Sequence, residues 1–421
     1  MNFKKRPPLT PREIRILIFL GLITLVAFIL LAGINIGLSQ FVPGGGGFFV
    51  AWEGARARLF LNTDPYSHAV SQLAQEHAYG RLAVAGENPY FLTIPFFLLP
   101  FYFPFALIPN PAVAHGLWML LSESALVLSA LLIWRLIEWE PPRLFLIFFV
   151  LLSVIGFYSV TSLLDGSPII LLGLIYLLIL SALSSGQDEM AGALLVFTLF
   201  YWEVGLPFSL LIFWKVFSES RWRTFAGFGM LLTVLLVLSF LIYPGWFLPF
   251  MTAVIGSLRA EFGVNTAGVL SHLSPLYGLR VSQALTVLTI VMLGFEWAAT
   301  RDSDFRRFVW AMCLTLAATP LLGLRTELSN LIVMFPGLAL IFVAAANRWK
   351  MGYWLTSLLA LLAFFVPWSF FMQWLLFHNQ IAHDLLFLFF PLFMVVGLYW
   401  TRWWFIRPPR TWMDHIRLTV N

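Results

Sequence analysis

Charge is what this chain has least of. Asp, Glu, Lys and Arg make up 11% of 421 residues, hydrophobic residues make up 60%, and the mean hydropathy is +0.88. A water-soluble domain carries about 25% charged residues, so most of this surface is built to face lipid. Cysteine is nearly absent: Cys313 stands alone in an apolar run. An intrachain disulfide is therefore excluded, and no Cys/His spacing suits zinc. No internal repeat, low-complexity linker, P-loop, dinucleotide-binding glycine fingerprint or nucleophile elbow occurs. Those absences argue against an ATP-driven pump, a dinucleotide enzyme and a serine hydrolase. Neither an arginine ladder nor a carbonyl filter motif suggests a voltage sensor or ion channel.

Apolar length and aromatic side chains are abundant, with 18 Trp and 43 Phe. Charge-poor runs of about 18 residues or more suffice to cross roughly 30 Å of hydrocarbon as helix. They fall near 14–36, 112–136, 143–161, 167–185, 223–243, 279–299, 307–323, 328–346, 351–370 and 383–403, with a short apolar pair between 189 and 217 broken at Glu203, Gly205 and Pro207. If that pair crosses twice, the expectation is an all-α, polytopic bundle of about twelve spanning helices, forming one membrane domain over 1–421. The net charge of +5 and pI of about 9.4 do not point to nucleic acid, because the basic residues sit in short loops. Lys4, Lys5, Arg6, Arg12 and Arg15 precede the first span. Arg135, Arg143, Lys215, Arg221, Arg223, Arg301, Arg306, Arg307, Arg348, Lys350, Arg402, Arg407 and Arg410 alternate with the others. This pattern puts the N-terminus (1–13) and the tail (407–421) in the cytoplasm of a multi-pass cell-membrane protein. The first apolar run is too long for a typical signal-peptide core.

The segment 88–111, "NPYFLTIPFFLLPFYFPFALIPNP", is apolar, but Pro95, Pro100, Pro104 and Pro109 interrupt it. Proline removes a backbone donor and clashes with the preceding turn, so a re-entrant or broken helix that does not cross is expected. Polar groups concentrate before it, in the first external loop (39–90). There "FFVAWEGARARLFL" and "SHAVSQLAQEHAYG" read as short helices, the first lying in the membrane interface. Glu53 and Asp64 are the acids taken as catalytic candidates. The alternatives are a Glu53 pair with Arg56 or Arg58, and a turn-capping Asp64. Tyr66, His68 and Tyr90 join them as substrate-binding candidates. Outside the loop, Asp165, Trp202, Glu203 and Arg325 are further substrate- or donor-binding candidates; Asp165 ends a helix, where the alternative is a cap on the next. Glu203, beside Trp202, is an acid at membrane depth. Arg325 suits a phosphate through its planar guanidinium, or a pair with Glu327. His378, His383 and Asp384 lack a specific metal spacing, so no metal and no cofactor is assigned.

One ordered series resembles a known family. A first span, "GGGGFFVAWEGARARLFLNTDPY", a short helix and then "NPYFLTIPFFLLPFYFPFALIP" are similar to the polytopic glycosyltransferases of the GT-C fold, in particular glycosyltransferase family 87. "LLDGSPIILLGLIYLLILSAL" and "GALLVFTLFYWEVGLPFSLLIFWK" stand where that family has its "GQ" and "KP" segments. The resemblance implies transfer of a mannose-like hexose from a polyprenyl-phosphate donor, a lipid embedded in the membrane, to a glycan or glycolipid acceptor outside the cytoplasm. It also implies a catalytic aspartate before Phe48, where this chain has Gly47; Glu53 and Asp64 are the remaining acids of that loop. The alternatives are a non-catalytic member of the same scaffold that binds lipid or a partner, and a transporter or flippase. A transporter would spread polar groups through several spans.

Overall fold

The computed structural model describes residues 10–406 apart from 85, 139, 261 and 302. Part of the basic N-terminus (1–9) and the whole tail (407–421) lie outside the described residues. Regular structure among the described residues is helical, apart from an isolated bridge between Val264 and Thr326. The chain runs α1 (Pro11–Phe41), α2 (Gly46–Arg56), α3 (His68–Tyr79), α4 (Phe103–Ala106), α5 (Pro111–Leu136), α6 (Arg143–Ile155), α7 (Phe157–Asp165), α8 (Ile169–Ser184) and α9 (Asp188–Leu195). It continues α10 (Trp202–Ser218), α11 (Trp222–Ile242), α12 (Phe247–Arg259), α13 (Thr266–Leu273), α14 (Gly278–Ala298), α15 (Phe305–Ala318), α16 (Phe335–Arg348), α17 (Gly352–Phe377) and α18 (Gln380–Ile406).

Among the described residues eight helices are long and apolar enough to cross a membrane, and there are nine if the pair α6–α7, bent by 43°, is counted as one broken span. This is a polytopic helical membrane protein. The count is below the expected twelve because α8, α9 and α10 are short. A helix of 16 residues such as α8 rises only about 24 Å, less than the apolar thickness. The proline-rich segment forms a 3-10 turn and α4 over Phe96–Ala106, largely buried and too short to cross. The expected break between 189 and 217 falls at Tyr201, whose extended backbone separates a 3-10 turn from α10. Gly205 and Pro207 sit inside α10 instead.

The first-loop helix is also placed differently from the expectation. Phe48, Phe49, Val50, Ala51, Trp52, Gly54 and Ala55 of α2 are all buried, so α2 is enclosed by protein rather than lying flat in the interface. Arg56 donates to the Ala106 carbonyl at 3.0 Å and lies 4.7 Å over the Trp52 ring. Arg58 donates to the Ile242 carbonyl. The two arginines thus satisfy orphan carbonyls at helix ends and do not pair with Glu53.

Basic loops assigned to one side of the membrane do meet. Buried Lys215 donates to the Thr300 carbonyl at 2.6 Å and pairs with Glu219 at 2.7 Å. Arg402 holds Glu296 at 2.9 Å, and Arg306 reaches Glu138 at 3.1 Å. At the other end, the start of α2, the 88–94 segment, residues 262–263 and the 325–330 loop come together around one space, and there the polar groups gather.

Candidate functional site

The site is assembled from the glycine run upward. Gly45 has φ 78 and donates to the Leu164 carbonyl at 2.6 Å, locking the start of α2 to the end of α7. A side chain at Gly46 would meet the Tyr90 ring at 1.9 Å. A side chain at Gly47 would meet Asp165 Oδ2 at 2.7 Å. These two glycines therefore hold space open for an aromatic ring and a carboxylate that arrive from elsewhere in the chain.

Tyr90 is fixed from behind. Its amide donates to Asn88 Oδ1 at 2.9 Å, and its backbone takes φ 46, which non-glycine residues seldom adopt. Gln75 on α3 donates to the Pro89 carbonyl at 2.8 Å, and Tyr66 OH donates to the Ile94 carbonyl at 2.9 Å. On the far wall, Asn88 Nδ2 donates to Glu327 Oε1 at 2.9 Å. The bridge from Val264 to Thr326 pins the loop carrying Glu327. Burial, then the charges of Asp165 and Glu203, push the Glu327 carboxyl above the usual carboxylate range. Burial and the Asp165 charge likewise raise the Tyr90 phenol.

Three spaces follow one another here. A narrow neck of about 120 Å³ is lined by Gly47, Asn88, Tyr90, Tyr201, Glu203, Arg325 and Glu327. An apolar groove of about 590 Å³ shares Thr93 with the neck and runs along Trp202, Trp246, Phe247 and Phe250. The helix α12 roofs both: its N-terminal half lines the groove, and Ser257 and Leu258 line the neck. A chamber of about 440 Å³ lies past Glu327 and contains Asp165. The arrangement offers apolar, anion-compatible and acidic environments in sequence.

Of the residues singled out in the sequence, Tyr90, Glu203 and Arg325 line the neck, Trp202 the groove and Asp165 the chamber. Tyr66 braces the wall from behind. His68 is exposed and edges onto Phe91. Glu53 and Asp64 line none of these spaces. Glu53 pairs with His77 at 2.9 Å, and Asp64 Oδ1 accepts the Tyr66 amide at 3.0 Å to close its turn. His383 lines the chamber, while Asp384 pairs with His272. Asn88, Tyr201 and Glu327 are functional candidates that the sequence reading did not select. The only signal for Glu327 was its closeness to Arg325, and the turn-forming "NPY" was the signal for Asn88. Among the described residues no group of three or more His, Cys, Asp or Glu is placed to hold a metal ion. No protein-family profile, curated protein or solved structure matches this chain.

Proposed function

We propose that this protein is a membrane hexosyltransferase of the GT-C type, moving a mannose-like sugar from a polyprenyl-phosphate donor to a glycan or glycolipid outside the cytoplasm. The observation that carries this reading is the continuity of the apolar groove, the Arg325-bearing neck and the acidic chamber. A lipid-phosphate sugar has the same order of parts. Its chain takes the groove, its phosphate takes the neck beside Arg325, and its sugar faces the carboxylates. Counting α8, the α9 segment and α10 with the nine candidate spans gives the twelve crossings of the proposed topology, with both termini cytoplasmic in the cell membrane.

Asp165 takes the role of base. The resemblance calls for a carboxylate at position 47, and an Asp165 oxygen lies 2.7 Å from where the Cβ of that side chain would be. The acceptor hydroxyl oxygen bonds to the anomeric carbon as the bond from that carbon to the phosphate oxygen breaks. The proton passes to Asp165, and the polyprenyl phosphate leaves as an anion. Such a base contributes about 10²–10⁴-fold, and the guanidinium stabilises charge growing on the phosphate. Glu327, kept neutral further up the pH scale, lets a phosphate occupy a neck that Glu203 and Glu327 would repel if both were ionised.

Purified protein in lipid, given radiolabelled polyprenyl-phosphate hexose and an acceptor panel, tests the reading. Wild type transfers or hydrolyses the sugar, and Asp165→Asn loses at least about 100-fold in kcat. Glu53→Gln and Asp64→Asn stay within about threefold, consistent with their places outside the three spaces. A wild-type protein that neither transfers nor hydrolyses any such donor sinks the proposal.

A further inference from the structure

A second apolar groove lies between α17 and α18, where they pack on α16. Its volume is about 590 Å³, and it shares no lining residue with the neck, the first groove or the chamber. Its walls include Ile341, Leu355, Leu359, Phe370 and Leu385, carry no charged side chain, and end at Trp400. From Trp400 back to Leu385 the helix rises about 22 Å, more than half of a hydrocarbon core of roughly 30 Å. One leaflet's acyl chain therefore fits along it. The Trp400 end has the composition of a membrane interface. Trp349 stacks on Trp400 with ring centroids 4.9 Å apart and planes at 11°, and the Arg348 guanidinium lies 5.1 Å from the Trp349 ring. Lys350, Tyr353 and Trp354 are exposed at the same helix ends, and headgroup depth favours such aromatic and basic residues. Arg402 is held there by Glu296. Arg348 and Lys350 are exposed and pair with no acid among the described residues.

We infer that this groove binds an anionic phospholipid, with one acyl chain lying between α17 and α18 and its phosphate beside Arg348 and Lys350. The shape of the walls chooses hydrocarbon over a helix of a second copy. Helices in a membrane approach closely where small residues line the seam. Here the walls are branched and aromatic, and the glycine among them, Gly397, has Ile341 Cδ1 2.5 Å from its Cβ position. A flexible chain follows such a surface, whereas a helix backbone is held off it. Charge chooses the headgroup. A guanidinium and an ammonium at the mouth offset the net negative charge of an anionic phosphodiester, while a zwitterionic headgroup already carries its own cation. Each basic residue at a membrane surface favours anionic lipid about fivefold. The site does not depend on the transferase reading.

The experiment uses the full chain in phosphatidylcholine vesicles. They carry a trace of phosphatidylglycerol with a diazirine in one acyl chain or, in a parallel sample, of phosphatidylcholine with the same chains. Crosslinked residues are mapped by mass spectrometry. Phosphatidylglycerol should label the 385–400 wall at least about fivefold more than phosphatidylcholine does. Leu358 and Phe365, exposed on α17 outside the groove, should show no such preference. Arg348→Gln combined with Lys350→Gln, both at exposed positions, should melt with wild type and bring the groove ratio to within about twofold of unity. Equal labelling of the groove by the two lipids overturns the inference. So does the same preference at Leu358 and Phe365, which is a diffuse effect of surface charge. A preference that survives in the double variant removes the headgroup assignment. A groove that takes no lipid label while copies of the chain crosslink to one another through it belongs to a second copy, and the inference falls.

Discussion

Adding one methyl group at Gly46 separates a packing requirement from a general preference for glycine. The new Cβ would lie 1.9 Å from Tyr90 Cζ and 2.2 Å from Cε1. Ordinary contact begins at about 3.4 Å, so the ring has to retreat by about 1.5 Å. Retreat is resisted by the strained Tyr90 backbone, its amide bond to Asn88 and the Tyr79 ring at 5.4 Å. Overpacking of this kind costs about 1–3 kcal/mol. A gain in helix propensity of at most about 1 kcal/mol opposes it, leaving Gly46→Ala destabilised by up to about 2 kcal/mol when that gain is fully realised. Gly173 in α8 is the control, because its Cβ would meet nothing within 4 Å. There the same substitution should stabilise by about 0.5–1 kcal/mol. Thermal unfolding in detergent, followed through the intrinsic fluorescence of the 18 Trp, reads both. A Gly46→Ala protein that melts with or above wild type refutes the ring-over-glycine packing. Equal losses at Gly46 and Gly173 would mean that the glycines matter for some other reason.

Further expectations follow from individual contacts. The raised Glu327 pKa favours its neutral form in the folded state, so the associated stability is full below the ordinary carboxylate value and is lost as pH climbs through the raised one. Glu327→Gln cannot lose it. Its melting temperature should gain on wild type as pH rises from about 5 to 9, and parallel curves would dismiss the raised acid. Asn35 Nδ2 donates to Glu123 Oε2 at 2.9 Å where α1 packs on α5. Asn35→Ala strands a buried acid and should cost about 1–3 kcal/mol, which an unchanged melting temperature would contradict. Lys215 holds the Thr300 carbonyl and Glu219 while buried. Lys215→Met should destabilise by about 1–3 kcal/mol, and full stability would show that the end of α14 is satisfied without it.

Membrane class was legible because lipid leaves a one-dimensional record: apolar length, scarce charge and basic loops. Even there, α8 was read three residues too long, since hydropathy runs on through Ser167–Pro168 and Ser185 where the helix does not. The bend of α6–α7 at Gly156 was likewise invisible inside one apolar run. The site was harder to read, because its parts lie far apart in sequence. Tyr90, Glu203 and Arg325 stood out as polar or aromatic groups beside breaks. Asn88 and Glu327 are joined across more than two hundred residues by one hydrogen bond, and no local spacing records that. The acids of the first loop attracted attention because they share a segment with the glycine run, yet helix α2 turns Glu53 toward His77 and away from the neck.

Position 47 shows why a motif can fail while the geometry it serves persists. A carboxylate attached to α2 at residue 47 and one attached to the end of α7 at residue 165 compete for the same volume, since the Cβ of the first would lie 2.7 Å from an oxygen of the second. Both acids together would force two charges into contact, so the chain accommodates one or the other. Gly47→Asp should therefore be strongly destabilising near neutral pH, with part of the loss relieved in acid as one carboxyl is protonated. Asp165→Gly should fold and lose donor turnover. The double variant Gly47→Asp with Asp165→Gly relieves the crowding and supplies one carboxylate from α2 in place of the one from the end of α7. It should recover stability relative to Gly47→Asp and regain turnover at least about tenfold over Asp165→Gly. If the double variant is merely as inactive as Asp165→Gly while fully folded, the two positions do not serve the same chemical point. Asp165 would then act only as a cap on the glycine run.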